Sequence, residues 1–184
     1  MDVSIVVSTY NRCRLLEEAL RALLSQTSAD VAYEILVVDN NSTDQTRPLV
    51  EGLAKQNPEK LKYLFEPKQG LSYGRNTGIA AAKAPIIAFT DDDVRVAPDW
   101  VWRIKTGFEA NPDIDFLGGR VVGDSIYPSS LPPLKSNLTG WRSNITGNGT
   151  PATGVSTPRC TRRRWNDQRW ASYLECPPIS IDKL

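Results

Sequence analysis

Residues 85–94 read PIIAFTDDDV, an apolar run that ends in three consecutive aspartates. Short apolar runs that are rich in β-branched residues and closed by polar residues are typical of strands buried on both faces of a sheet. The same pattern occurs three more times, at residues 3–8 (VSIVVS), 34–39 (EILVVD) and 61–65 (LKYLF). We therefore predict four buried strands, with a polar site where the last of them meets Asp91, Asp92 and Asp93.

Three adjacent carboxylates need an explanation, because like charges so close together disfavour joint ionisation. A divalent cation would offset the repulsion, since hard ions such as Mg²⁺ or Mn²⁺ take one or two carboxylates together with the phosphates of a substrate. A polar turn that caps the next helix is the alternative, because Asp is favoured at turns and N-caps. These residues alone leave both interpretations open.

Amphipathic helices are predicted between the strands. Leucine and alanine recur at three- and four-residue steps in residues 15–24, which predicts one apolar helix face. A second helix should follow Ser42, because Ser42 and Gln45 have the spacing of a capping box. An alanine cluster predicts a third helix at about 71–84. A fourth helix is predicted at about 98–110, with Pro98 near its first turn.

The alternation of strands and helices predicts an α/β fold with a mostly parallel sheet and helices on both faces. In such sheets, ligands bind beyond the carboxyl ends of the strands. Three polar clusters follow predicted strands and should therefore meet at one edge: Thr9 to Arg12, Asp39 to Ser42, and Asp91 to Asp93.

Composition narrows the classes of function. The 184 residues predict one main domain, and a net charge of +1 gives no case for nucleic acid as a partner. The absence of histidine excludes Ser-His-Asp chemistry and His-ligated zinc, so that any general base must be a carboxylate. Three scattered cysteines and the lack of an apolar run of about 20 residues predict a cytoplasmic protein without a transmembrane segment. A peripheral position at the inner face of the membrane is the alternative.

The pattern changes after residue 123. Pro, Ser, Thr, Gly and Asn dominate the following stretch, which is typical of loops or disorder. We therefore expect a domain at 1–123 and an irregular, poorly ordered tail at 124–184. The abrupt change leads us to expect that the chain is truncated at its C-terminal end or frame-shifted after about residue 124.

Four motifs give the sequence a specific resemblance. They are STYN (8–11), VVDNNSTDQT (37–46), QGLSYGRNTGI (69–79) and FTDDDV (89–94). In their order, spacing and strand context, across residues 3–122, they resemble the inverting family 2 glycosyltransferases of the GT-A fold. Any one motif alone would be weak, but four linked motifs are specific.

The resemblance implies a donor, a cofactor and an acceptor. The donor would be a nucleotide-diphospho-sugar, with UDP favoured by analogy, and the acceptor a hydroxyl group on a saccharide, lipid or other molecule. Mg²⁺ or Mn²⁺ would bind at Asp91 and Asp93. The implied nucleotide-sugar residues are Thr9, Tyr10, Asn11, Arg12, Asp39, Ser42, Arg75, Asn76, Asp91 and Asp92. The family further implies a role in cell-wall or polysaccharide biosynthesis.

Two of these residues have roles that their chemistry supports. Asp39 is expected to accept a hydrogen bond from a uracil-like N3–H, and Arg75 to reach phosphate from the third helix. Their ordinary alternatives are a turn residue for Asp39 and a surface ion pair for Arg75.

The sequence departs from the family pattern in its second half. We find neither the Gly-Gly-x-Asn-like stretch nor the acidic Glu-Asp motif that carries the general base, and we identify no catalytic residue. The only acidic residues beyond Asp124 are Asp167, Glu175 and Asp182. An inactive nucleotide-sugar-binding fragment is therefore one alternative. A sugar-nucleotide nucleotidyltransferase is another, although STYNRCR is a poor version of its phosphate loop.

Overall fold

The computed structural model describes residues 1–27, 30–119, 139–141 and 169–172. The strands are β1 (Val3–Thr9), β2 (Tyr33–Asp39), β3 (Leu61–Phe65), β4 (Ile86–Asp91), β5 (Phe116–Gly118), β6 (Thr139–Trp141) and β7 (Arg169–Ser172). The helices are α1 (Cys13–Leu24), α2 (Thr46–Gln56), α3 (Leu71–Ala81) and α4 (Trp100–Ala110). All four predicted strands and all four predicted helices are present, with ends that differ by a few residues.

The strands form one mostly parallel sheet in the order β3-β2-β1-β4-β7-β5-β6. Every pairing is parallel except that of β5 with β6, which is antiparallel. The register sets Thr9 opposite Asp39 and Ser8 opposite Asp91. The polar clusters that follow β1, β2 and β4 therefore meet at one edge of the sheet, as predicted.

Helices cover both faces of the sheet, as predicted. Alternate residues of a strand point to opposite faces, so β1 contributes Ile5 and Val7 to one core cluster and Val6 to another. The larger cluster includes apolar residues of α1, α2 and α4. Ile79 and Ala81 of α3 pack against the smaller one. The sheet is thus sandwiched between three helices on one face and α3 on the other.

Two glycines let α3 approach β1 closely. A Cβ atom on Gly74 would overlap Ser8 Oγ, and one on Gly78 would overlap Val6 Cγ1. Glycine inside a helix costs about 0.5–1 kcal/mol relative to alanine, so its presence at both positions has a packing reason. The sequence alone does not indicate this packing role, because the neighbouring strand is not visible in the local pattern.

We expect Gly78→Ala to lower the free energy of unfolding by about 1 kcal/mol. Overpacking against Val6 costs about 1–3 kcal/mol, and the better helix propensity of alanine recovers part of it. Gly52 in α2 provides a matched control, because a Cβ there meets nothing within 4 Å. Gly52→Ala should therefore stabilise the chain by about 0.5–1 kcal/mol. Urea unfolding of both variants measures the two changes, and a gain in both would contradict the close approach.

The predicted capping box at α2 is wrong. The helix begins at Thr46, after Gln45, with no side-chain hydrogen bond from the N-cap residue. Asp44 takes over this role, because its Oδ1 accepts from the Thr46 N–H at 3.0 Å while its Oδ2 accepts from the Cys13 N–H at 3.0 Å. One carboxylate therefore serves the first residues of α1 and α2, while Ser42 belongs to the preceding loop.

Two helix ends also differ from prediction. The third helix stops at Ala81, because Ala82 adopts an extended conformation and the N–H groups of Lys83 and Ala84 donate to Ser4 Oγ. The fourth begins at Trp100 rather than Pro98, since the Pro98 carbonyl accepts from Thr27 outside the helix. Tertiary contacts, which local propensity does not contain, decide both ends.

A buried carboxylate lies near the amino end of the strands, opposite the polar edge. The Glu34 side chain is fully buried and accepts from Ser4 Oγ at 2.8 Å, Lys62 Nζ at 2.6 Å and the Lys83 N–H at 3.0 Å. Burial by itself would raise the pKa of Glu34, but the hydrogen bonds outweigh it and hold the pKa below that of an ordinary glutamate. This ion pair ties together β1, β2, β3 and the segment after α3.

The predicted tail at 124–184 contributes β6 and β7 to the sheet. The rest of that region, including Cys160, Cys176 and the acidic residues Asp167, Glu175 and Asp182, lies outside the described residues. No helix in the described part of the chain combines the length and apolar character that crossing a membrane requires.

Candidate functional site

A cleft of ≈ 460 Å³ lies at the carboxyl edge of the sheet. It brings together six of the predicted site residues: Thr9, Tyr10, Arg12, Asp91, Asp92 and Asp93. Thr9 ends β1, Asp91 ends β4, and Arg12 is the residue before α1. Residues that lie 80 positions apart in the chain are thus adjacent because β1 and β4 are paired neighbours.

Asp92 is the buried member of the aspartate triplet. Its side chain is 7% exposed, its Oδ2 accepts from Thr9 Oγ1 at 2.7 Å, and its Oδ1 accepts from Arg12 Nη1 at 3.2 Å. Burial raises the pKa of Asp92, although the bonds from Thr9 and Arg12 oppose that shift. Asp92 therefore positions Thr9 and Arg12 and presents little of its own surface to the cleft.

Asp91 and Asp93 are the more exposed members, with 33% and 46% of their side chains accessible. Asp91 Oδ1 lies 3.6 Å from Arg75 Nη2, and Asp93 Oδ2 lies 3.1 Å from Arg12 Nη1. Two guanidinium groups of the chain itself therefore offset the repulsion among the three carboxylates. From the sequence alone, only an external cation was expected to offset this repulsion.

Arg75 lies on the predicted third helix but does not line the cleft. The α3 helix carries it to Asp91, and its guanidinium lies 5.8 Å from the centre of the Phe89 ring. With 22% of its side chain exposed, Arg75 supports Asp91 from the α3 face of the sheet. Asn76, the next residue of α3, is exposed and does not line the cleft.

Asp39 lies at the end of β2 and is 1% exposed. Its Oδ1 accepts from the Ser42 N–H at 2.8 Å and its Oδ2 from the Tyr63 hydroxyl at 2.8 Å. Burial and the hydrogen bond to Asp39 raise the pKa of Tyr63 to about 12. Asp39 therefore anchors the loop after β2 through these two hydrogen bonds, and it does not line the cleft.

Asn11 joins the loops that follow β1 and β2. It adopts a positive φ of 52°, a conformation that asparagine tolerates better than most residues. Its N–H donates to Ser42 Oγ at 2.9 Å, and its Oδ1 accepts from the Thr43 N–H at 2.8 Å. Asn11 and Ser42 thus fix the shape of the rim, while Tyr10, 47% exposed, lines the cleft.

Sequence reasoning missed Asn40, which connects the cleft to the segment before α3. Its side-chain amide donates to the carbonyls of Glu66 and Lys68, and its Oδ1 accepts from the Gly70 N–H at 2.7 Å. Gly70 has a φ of 138°, which other residues rarely adopt, and Gln69 beside it lines the cleft. The Asp-Asn-Asn-Ser cluster after β2 was a signal, but its partners lie some 30 residues away.

The donor set at the cleft fits a hard divalent cation. Asp91 and Asp93 offer two partly exposed carboxylates, which is the number that Mg²⁺ commonly takes from a protein when substrate phosphates supply further ligands. Within the described residues, no group of three or more His, Cys, Asp or Glu side chains could hold a metal ion by itself. The residues present therefore suit a cation that is completed by a phosphate-bearing ligand.

Comparisons with known proteins identify the family of the chain. The family model described as Glycosyl transferase family 2 matches residues 4–169. The chain belongs to glycosyltransferase family 2. A relative of this family 2 chain, an uncharacterized glycosyltransferase named alr2836 from Nostoc sp., is 37% identical over 111 residues. That match covers 60% of the chain and 34% of the relative, so the chain spans about a third of the relative's length.

Solved structures identify the architecture of this glycosyltransferase family 2 chain as the GT-A fold. A mannosyltransferase from Pyrobaculum calidifontis, solved in complex with GDP-Man and Mn²⁺, matches with a TM-score of 0.58 and 30% identity. The match covers 66% of the chain and 35% of that protein. TarS 1-349 from S. aureus, solved in complex with UDP, matches with a TM-score of 0.59 and 27% identity, covering 70% of the chain and 39% of TarS 1-349.

Proposed function

We propose that the chain carries the donor-binding part of a glycosyltransferase that transfers a sugar from a UDP-sugar to a hydroxyl acceptor, with inversion at the sugar carbon. The observation that carries this proposal is the cleft at the carboxyl edge, where Thr9 and Arg12 face the aspartates Asp91 to Asp93. A guanidinium group can bind phosphate, and two carboxylates can bind a divalent cation. Together these groups suit a ligand that carries both phosphate and a divalent cation.

Mg²⁺ or Mn²⁺ is the cofactor of this proposal, held by Asp91 and Asp93. When bound, the cation acts as a Lewis acid toward the negative charge of the leaving nucleoside diphosphate. Asp92 keeps Thr9 and Arg12 in position, with hydrogen bonds of 2.7 and 3.2 Å. The Mn²⁺ in the similar mannosyltransferase structure supports the assignment.

The nucleoside is proposed to lie near Tyr10 and the loop after β2. Tyr10 is half exposed at the rim, where its ring can pack against a base. Asp39 is expected to accept from a base N–H, and each of its carboxylate oxygens can accept a second hydrogen bond beyond those from Ser42 and Tyr63. Because Asp39 is 1% exposed, direct contact with a base requires that residues covering it move aside.

Binding of UDP tests the proposal directly. We expect calorimetric titration of the purified chain with UDP to give at least tenfold tighter binding in the presence of Mn²⁺ than with a chelator. The physical reason is that a cation held by Asp91 and Asp93 would offset the repulsion between these carboxylates and the diphosphate. Parallel titrations with GDP and ADP determine the preference for the base. A folded chain that binds no nucleoside diphosphate in either condition would refute the donor site.

Turnover distinguishes transfer from binding alone. Family membership favours glycosyl transfer over nucleotidyl transfer, and release of UDP from a UDP-sugar with a hydroxyl acceptor is the signature of transfer. Metal-dependent UDP binding without such release, across UDP-sugars and saccharide or lipid acceptors, would support the alternative of a donor-binding chain without a general base.

A further inference from the structure

The guanidinium of Arg12 bridges two of the cleft carboxylates. Its Nη1 lies 3.2 Å from Asp92 Oδ1 and 3.1 Å from Asp93 Oδ2. Arg12 precedes α1, lines the cleft and has half of its side chain exposed. Arg12 thus pairs with Asp93, which is one of the two carboxylates proposed to hold the cation.

The two partners hold Arg12 differently. Asp92 is buried and fixed by its second bond, from Thr9 Oγ1 at 2.7 Å, so it forms a rigid anchor. Asp93 is 46% exposed, and an ion pair so accessible to water contributes little to stability. The bond to Asp93 is therefore the one that Arg12 gives up most readily.

Arginine has donors to spare for such an exchange. The guanidinium carries five N–H donors in a planar fork, and both contacts with Asp92 and Asp93 use Nη1 alone. A guanidinium that stays anchored on Asp92 still presents its remaining donors to the cleft. That fork matches the geometry of a phosphate group.

We infer that Arg12 is the resident counter-ion of the cleft aspartates and couples the binding of the divalent cation to that of the nucleoside diphosphate. Arg12 competes with the cation for Asp93. When the diphosphate enters, Arg12 pairs with it, releases Asp93 to the cation and remains anchored on Asp92. Each ligand therefore promotes the binding of the other by the same factor. This inference rests on the proposed function.

The variant Arg12→Gln separates the two roles. Mn²⁺ binding is measured by electron paramagnetic resonance of the free ion, first with protein alone and then with saturating UDP. We expect the variant to bind Mn²⁺ alone about threefold to fivefold more tightly than the unchanged chain, because an exposed ion pair no longer competes. We also expect UDP to enhance Mn²⁺ binding less in the variant, because the diphosphate has lost its guanidinium partner.

Arg14→Gln provides the matched control. Arg14 is exposed on α1 two residues further along, and its replacement changes the net charge by the same amount. It should leave both Mn²⁺ affinities unchanged. Equal effects of Arg12→Gln and Arg14→Gln would overturn the inference, because general electrostatics would then explain them.

A second variant separates the positive charge of Arg12 from the planar geometry of its guanidinium group. Arg12→Lys keeps the positive charge but loses the planar fork, so it should retain weak binding of Mn²⁺ alone and lose part of the enhancement by UDP. Failure of the unchanged chain to bind Mn²⁺ and UDP together would refute the proposed function. Cooperative binding in the unchanged chain that persists fully in Arg12→Gln and Arg12→Lys would refute the role of Arg12 alone.

Discussion

Replacing Asp91 and Asp93 together by asparagine is expected to abolish the Mn²⁺ dependence of UDP binding, with a loss of about 100-fold in affinity when Mn²⁺ is present. A 100-fold loss corresponds to about 2.7 kcal/mol. The physical reason is that amide oxygens keep the size of the carboxylates but remove the two negative charges that a hard cation needs. Calorimetry with and without Mn²⁺ measures the effect, as for the unchanged chain.

The control for this variant tests whether the loss of two negative charges anywhere on the chain has the same effect. Asp30 and Glu59 are exposed near the opposite edge of the sheet, and the pair Asp30→Asn/Glu59→Gln removes two negative charges there. This pair should leave UDP binding within about twofold, since distant exposed charges are screened by salt. Retained Mn²⁺ dependence in Asp91→Asn/Asp93→Asn would show that these carboxylates do not hold the cation.

Replacing Lys62 by methionine is expected to lower the free energy of unfolding by about 3 kcal/mol. Removal of one partner from a buried ion pair costs about 3–5 kcal/mol, because it leaves an uncompensated charge inside the protein. We expect the lower end, since 37% of the Lys62 side chain is exposed and Glu34 keeps its bonds from Ser4 and Lys83. Urea unfolding followed by circular dichroism measures the loss.

The double variant Glu34→Gln/Lys62→Met separates the charge from the packing. Without the Glu34 charge, loss of Lys62 leaves nothing uncompensated, so the double variant should be more stable than Lys62→Met alone. A double variant whose loss equals the sum of the two single losses would show that the two side chains act independently.

The same ion pair predicts a dependence of stability on pH. Because the pKa of Glu34 is lower in the folded than in the unfolded chain, its contribution is fully present above the ordinary glutamate pKa of about 4.3. It is lost as the pH falls through the lower folded-state pKa. Between pH 5 and pH 3 the double variant should therefore lose less stability than the unchanged chain. Parallel pH profiles of the two would contradict this assignment.

The candidate site was predictable from sequence as far as its edge of the sheet and its residue types. Thr9, Arg12 and Asp91 to Asp93 each follow or end an apolar run, and parallel strands must bring such ends together. Which of the three aspartates is buried and which are exposed was not predictable. Asp92 is held by Thr9 at the end of β1 and by Arg12 before α1, and these contacts cannot be read from the residues around it in the chain.

The sequence by itself determined the elements of this protein and the edge at which its polar clusters lie. Apolar periodicity and the polar residues that end each run are local properties, so they can be read along the chain. They sufficed for β1 to β4 and for α1 to α4, while four linked motifs carried the resemblance to family 2 glycosyltransferases.

Only the tertiary structure decided how these elements are joined. The pairing of Arg12 with Asp92 and Asp93, the support of the loop before α3 by Asn40, and the approach of Gly78 to Val6 all connect distant residues. Such contacts arise when strands align in one register and helices pack on them. Local propensity contains no information about that register, and for this reason the charge balance of the cleft became visible only in the folded chain.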